Sequence, residues 1–267
     1  MKFALLVLLI VSLFGANAAE ADMKSPNEKA TLNTALPSVM LIDSYGKTVS
    51  LKEIIGGKVL IISLIYTKCQ TACLLITDSV LSVVDKVEGQ GENYNVLTLT
   101  FDPNDDQKQL EEFRHIWRLD KKRGWTVARG EKSEVDTLLK ALDFHYALDG
   151  ETGEFLHPNM LIVITPKGKI SKYIYGVNYD ENNLKASILA AKKEGSSLSL
   201  TEGVLLWCYR YDPLTGAYIF DWALVCELIG GITFFISIPF FFWGRLVLSK
   251  IKTLSAKIFL RRSFSDS

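Results

Sequence analysis

The sequence predicts an α/β domain built on a mixed sheet, followed by one C-terminal transmembrane helix. Three observations carry this. Val59–Ile65 is an unbroken, largely β-branched run, as a strand buried on both faces requires. Strand-like and helix-like segments alternate after it and close on a hairpin and a last helix. Near the C-terminus lies an apolar stretch whose centre, 228–244, carries no charge.

Taken in order, residues 1–18 read as a signal peptide. Lys2 precedes an apolar run from Phe3 to Phe14, and Ala16-Asn17-Ala18 places small residues where cleavage after Ala18 needs them. Residues 19–35 are small and polar and read as a linker to a domain over 36–195. After the strand Val59–Ile65, Leu74, Leu75, Val80, Leu81 and Val84 fall at roughly helical spacing, predicting a helix over about 71–87. A second buried strand covers 95–101. It ends in Asp102-Pro103-Asn104-Asp105-Asp106, where the Asp105 region can cap a helix running to Leu119. Another helix spans about 133–142. Strands over 160–165 and 169–175 flank Pro166-Lys167-Gly168, a hairpin signal, and a last helix covers 181–193.

A juxtamembrane segment, 196–221, holds the turn Tyr211-Asp212-Pro213-Leu214-Thr215-Gly216. The predicted span, 222–244, has Tyr209, Tyr211, Tyr218 and Trp222 on one side. Arg245, Lys250, Lys252, Lys257, Arg261 and Arg262 stand on the other, so the 245–267 tail should stay cytoplasmic and the main domain be exported. The expected topology is single-pass, with the main domain exported.

Composition narrows the function. Thirty basic side chains against thirty acidic ones leave no positive excess for nucleic acid. Four cysteines in 267 residues are too few for a disulfide scaffold. Fourteen Phe, ten Tyr and five Trp exclude disorder as the main theme.

Chemistry concentrates at Cys69 and Cys73, at a turn between a buried strand and a helix. Residues four apart share a helix face, so their sulfurs can converge. A helix N-terminus and the neighbouring Lys68 favour thiolate and predict a lowered pKa. Such a pair suits a soft metal such as Cu(I) or reversible disulfide formation. Zinc is disfavoured, because no second cysteine pair or histidine-rich spacing accompanies it. Of the three histidines, His115 sits in a polar helical segment and His145 in a strand-like stretch. His157, before Pro158 and a strand, is the candidate ligand, since extended loops at strand ends build sites. Cys208, on the exported side, and Cys226, within the span, read as packing residues.

The runs YTKCQTAC, LTLTFDPNDD and FLHPNMLIVITPKGKI, in that order, resemble the Sco/SenC family of membrane-anchored copper chaperones. The likeness covers about 35–195 and extends to WCYRYDPLTGAY, similar to a bacterial subgroup with a C-terminal anchor, which implies the bacterial inner membrane with the domain periplasmic. It implies a thioredoxin-like fold and one copper per chain, Cu(I) favoured, held by Cys69, Cys73 and His157. Asp102 matches the family's aspartate beside the site. The implied client is the copper-site subunit of a respiratory cytochrome c oxidase, with a copper donor protein or thiol reductant upstream. The rival role is a thiol–disulfide oxidoreductase in which Cys69 and Cys73 form the redox pair and reduce the client's cysteines. Family members often carry proline after the cysteines, where this chain has Gln70 and Leu74. By analogy with the cis-proline of thioredoxin-like folds, a cis His157–Pro158 bond is expected.

Overall fold

The computed structural model describes residues 25–69, 72–150, 152–193, 208–212 and 217–238. The chain divides into two units, one of residues 1–206 with 211–218, the other of 207–210 with 219–267.

The first unit starts with α1 (Glu28–Thr31), β1 (Met40–Asp43), β2 (Thr48–Ser50) and α2 (Leu51–Ile55), then β3 (Val59–Ile65) and α3 (Ala72–Lys86). There follow β4 (Tyr94–Thr100), α4 (Gln107–Ile116), a 3-10 turn over Leu119–Lys121, β5 (Trp125–Gly130) and α5 (Lys132–Ala141). A short ribbon of β6 (Ala147–Leu148) and β7 (Phe155–Leu156) precedes β8 (Met160–Ile164), β9 (Ile170–Tyr175) and α6 (Glu181–Lys193).

Seven strands form one sheet in the order β2-β1-β5-β4-β3-β8-β9. Its centre, β5-β4-β3, is parallel, and β1 and β8 join it antiparallel on either side. This is the mixed, thioredoxin-like sheet that the sequence led us to expect. Every residue of β3 is buried, and its side chains alternate between two cores. Leu60, Ile62 and Leu64 meet Leu97, Leu99 and Leu138 on one face. Val59 and Ile61 meet Val80, Val84, Leu184 and Ile188 of α3 and α6 on the other. Both faces are covered, which is why the strand reads as a run that is apolar except for Ser63.

Several expectations need correcting. The buried stripe of α3 is Ile76, Val80, Val83 and Val84; Leu74 and Leu75 are 43% and 60% exposed. Leu74 and Leu75 lie off that stripe, on the side of the helix turned away from the core. The 19–35 segment is no loose linker where it is described. Asn33 N–H donates to the Ile170 carbonyl, Ile170 N–H to the Thr34 carbonyl, and Leu36 N–H to the Gly168 carbonyl, so the lead-in lies along β9. The Asp105 region does cap α4, through Asp106: its carboxylate accepts from the Gln109 amide at 2.8 Å, and the Gln109 side chain accepts from the Asp106 amide at 2.7 Å. That helix ends at Ile116 rather than Leu119. His145 lies in irregular chain rather than a strand, its ring 2.8 Å from Asp143.

In the second unit a helix, α7, runs over 222–238 with Trp222, Ile229, Ile232, Phe234, Phe235 and Ile236 exposed. Among the described residues no helix is long and apolar enough to cross a membrane. The last part of the predicted span, 239–244, lies outside the described residues, as do the signal peptide, the basic tail and Gln70. Cys226 is exposed and Cys208 half-buried.

Candidate metal centre

The C-terminal ends of the parallel strands carry the candidate site, as the crevice outside those ends does in open α/β sheets generally. The pairing register explains the gathering. Ile65 at the end of β3 lies beside Thr100 at the end of β4, and β8 runs antiparallel to β3 with Ser63 opposite Leu161. The turns after β3 and β4 and the segment before β8 therefore meet at one edge. They deliver Tyr66 to Cys69, Phe101 to Asp105, and His157 to Asn159.

Cys69 and Cys73 are both buried thiols, 5% and 2% exposed. The Cys73 amide, in the first turn of α3, donates to Cys69 Sγ at 3.3 Å, so the helix N-terminus does turn a donor on sulfur. Cys73 Sγ stands 3.8 Å from His157 Nε2. Two ligands of one first-row ion have a separation of that size, each bond being about 2.0–2.3 Å. His157 Nδ1 lies 3.2 Å from the Pro158 carbonyl. That contact calls for a proton on Nδ1 and leaves the Nε2 lone pair facing Cys73, the tautomer a metal ligand requires. Burial lowers the His157 pKa, against a smaller opposing effect of the Pro158 carbonyl, so the ring is neutral at physiological pH. Tyr66 and Phe101 set their rings edge-on to the imidazole at 6.0 and 5.2 Å, and Phe144 adds a third aromatic wall at 6.0 Å.

The expected lowering of the thiol pKa is reversed at Cys73. Burial pushes this thiol well above its ordinary value, and the opposing hydrogen bond from the Tyr66 backbone is too weak to compensate. The helix N-terminus was the right local signal, but the strand-to-helix turn buries the sulfur. Burial and a hydrogen bond to Cys69 likewise hold the Tyr66 hydroxyl protonated far above the tyrosine range. The His157–Pro158 bond is trans, since no peptide bond is cis among the described residues. The general preference for trans wins over the analogy.

Asp102 is buried, but its carboxylate accepts from the amide and side chain of Asn104, both at 2.9 Å, and so closes its own turn. Asp105 is the carboxylate that reaches the cysteine loop. It accepts from the Thr67 amide at 2.9 Å and the Thr67 hydroxyl at 2.5 Å, and from the Thr100 hydroxyl. The sequence carries a faint signal for this, because of two adjacent aspartates only one can cap α4. His115 is elsewhere, between Glu111 and Asp120 on the surface. Among the described residues no group of three or more His, Cys, Asp or Glu is placed to hold a metal ion. The approach present is that of Cys73 Sγ to His157 Nε2, with Cys69 Sγ on the Cys73 amide, and thiol sulfur and imidazole nitrogen suit a soft ion such as Cu(I) better than a hard one.

The SCO1/SenC family model matches residues 29–192, the stretch from α1 to the end of α6. The SCO1 protein homolog of Bacillus subtilis (strain 168) is 27% identical over 192 residues, covering 71% of this chain and 94% of that protein. A solved structure from Aquifex aeolicus VF5 is 38% identical with a TM-score of 0.58, covering 61% of this chain and 96% of the other. A second from the same organism is 36% identical with a TM-score of 0.55, covering 61% of this chain and 99% of its own. The family match spans more than half of the chain and takes in Cys69, Cys73 and His157, and on that footing the chain belongs to the SCO1/SenC family.

Proposed function

We propose that this protein is a copper-binding metallochaperone that holds Cu(I) between Cys69, Cys73 and His157. It hands the ion to the copper-site subunit of a respiratory cytochrome c oxidase, the assembly process with which the family is associated. The observation that carries the reading is the 3.8 Å approach of His157 Nε2 to Cys73 Sγ, with the ring buried and its other nitrogen turned to the Pro158 carbonyl. Copper is cargo here. The chain supplies a dry pocket, a fixed imidazole tautomer and two sulfurs on one helix start. Thiols must lose their protons to hold the ion and regain them on release.

The location belongs to the same proposal: an exported domain on the outer face of the bacterial inner membrane, tethered by a span over 222–244, with a copper donor protein or thiol reductant upstream. The exposed apolar side chains of α7 support the tether, since water gives them no partner and lipid does. A tether would raise the effective concentration of the carrier near a membrane client. Protease treatment of inverted vesicles tests this; a tail that resists digestion there would reject the orientation.

The decisive experiment is an anaerobic Cu(I) titration against a competing chelator, with His157→Ala and Cys69→Ser/Cys73→Ser alongside. One tight equivalent, weakened in both variants, is the expected result. Binding no tighter than that of the double-serine chain overturns the chaperone reading. The second reading, a thiol–disulfide oxidoreductase, draws on the Cys73 amide aimed at Cys69 Sγ, which stabilises charge on that sulfur. Activity lost in Cys69→Ser but kept in His157→Ala would favour it.

A further inference from the structure

A groove of about 280 Å³ opens between the start of α3 and the length of α4. Cys69 and Cys73 form part of its wall, beside Leu74, Phe113, Ile116 and Trp117. We propose that this groove docks the thiol-bearing segment of the copper acceptor, and that it selects acceptors whose cysteines are flanked by apolar side chains. The inference rests on the copper-transfer reading and adds to it the chemistry of the partner.

Three features identify the occupant. Both sulfurs are almost fully buried, yet they line the groove, so an incoming thiol has a path to them through it. The groove is smaller than the roughly 300–1,000 Å³ of sites for whole small ligands, so it suits a few side chains of a polypeptide. Two apolar side chains of its rim are uncovered: Leu74 is 43% exposed and Ile116 is 75% exposed, although each lies on a helix with a well-buried opposite face. The charged rim residues, Lys68 and Glu112, are one of each sign, so the groove does not select a partner by net charge. Apolar contact is the discrimination left, and burial of such side chains is what a docking segment would gain.

Transfer is balanced without a redox change. Cu(I) leaves Cys69 and Cys73 for two acceptor thiols. Those thiols give up two protons, and two protons return to the sulfurs of this chain.

The test uses the full chain in detergent, loaded with one equivalent of Cu(I). Three acceptors are compared: a short synthetic peptide whose two cysteines are flanked by leucines, the same peptide with aspartates in place of the leucines, and glutathione. The wild type should prefer the leucine peptide over the aspartate peptide. Ile116→Lys should slow transfer to the leucine peptide by about tenfold, the worth of one partly buried aliphatic contact. It should leave Cu(I) affinity and transfer to glutathione unchanged, and Ile116→Val should restore the peptide rate. Equal peptide rates in Ile116→Lys and wild type would overturn the inference, as would equal acceptance of the two peptides. If the wild type takes up no Cu(I), the copper reading fails separately. The same chains are then oxidised and reacted with the same peptides. The Cys69–Cys73 disulfide becomes two thiols as two peptide thiols become a disulfide, two electrons and two protons passing to this chain. A leucine preference lost in Ile116→Lys upholds the groove even then, and no preference rejects it.

Discussion

Replacing Asp105 by alanine removes the acceptor for three donors at once. The Thr67 amide is a fixed donor two residues before Cys69, while the Thr67 and Thr100 hydroxyls can rotate. Orphaning the buried amide costs about 1–3 kcal/mol, and each hydroxyl bond to a carboxylate is worth about 1.5–3 kcal/mol before the hydroxyl finds another acceptor. Rotation and an admitted water recover part of the latter, so Asp105→Ala should lose about 3–5 kcal/mol in urea unfolding followed by tryptophan fluorescence. Asparagine behaves differently. Its oxygen can accept from the Thr67 amide and Thr100 hydroxyl, and its NH2 can donate to the Thr67 hydroxyl once that group turns over. Asp105→Asn should therefore lose only about 1–2 kcal/mol. The cysteine loop hangs from the same carboxylate, so Asp105→Ala should also weaken Cu(I) binding under folding conditions, and Asp105→Asn should largely keep it. An alanine variant as stable as wild type would refute the reasoning. So would an asparagine variant as damaged as alanine, because the loss would then follow charge rather than geometry.

Other outcomes follow from the same structure. Cys73 stays protonated through the neutral range, so each ion bound releases at least one proton and apparent Cu(I) affinity should rise about tenfold per unit between pH 6 and 8. A pH-independent affinity in chelator competition would show the thiol already ionised. Lys172 is buried against Asn183, and burial depresses its pKa to about 8, partly opposed by Glu28. The unfolded chain then holds more protons than the native one above that pH, so stability should rise from about pH 8 towards 10. Burial raises the tyrosines Tyr94 and Tyr179, which should reverse the trend above pH 10. Lys172→Met should flatten the rise, and an unchanged slope in urea titrations would exclude Lys172 as its source. The Tyr179 hydroxyl is buried without a hydrogen-bond partner, so Tyr179→Phe should cost nothing measurable and a loss above about 1 kcal/mol would reveal a missed partner.

The parts of the fold legible in the sequence were those where one physical requirement acts alone. Residues 59–65 are apolar but for the buried Ser63 because both faces of β3 are covered, and the strand stands where it was read. The helix over Glu181–Lys193 also has the predicted bounds. β1, β2 and β5 gave no comparable signal. β2 buries no residue fully, β1 only Leu41, and β5 only Val127 and Ala128, so their patterns merge with loop composition. At the site, Cys69, Cys73 and His157 were visible as residue types at turns. Their surroundings were not, because Asp105, Phe101 and Phe144 act through side-chain direction, which depends on the sheet register. The same blindness assigned Leu74 to the core: its exposure is set by where α3 starts relative to β3.

The burial that reverses the thiol expectation also bears on the choice between carrier and reductase. A dithiol enzyme needs a thiolate in the resting state to attack its substrate, and a rate that depends on thiolate falls as the pKa climbs. Cys73, buried beside a neutral imidazole, is poorly placed to be that thiolate. A monovalent cation changes the balance, because its charge compensates the sulfurs in the same low-dielectric pocket where bare thiolate is penalised. The neutral imidazole then contributes a donor without adding charge. A site that disfavours the empty dithiolate and favours the occupied one suits a carrier that holds its ion until another pair of sulfurs arrives. The reductase role needs Cys69 as the attacking sulfur, since it alone receives the Cys73 amide. Cys73→Ser should then trap a mixed disulfide on Cys69 when the chain meets an oxidised peptide, and Cys69→Ser should not. Trapping on Cys73 instead would contradict the assignment of roles drawn from their burial and hydrogen bonding.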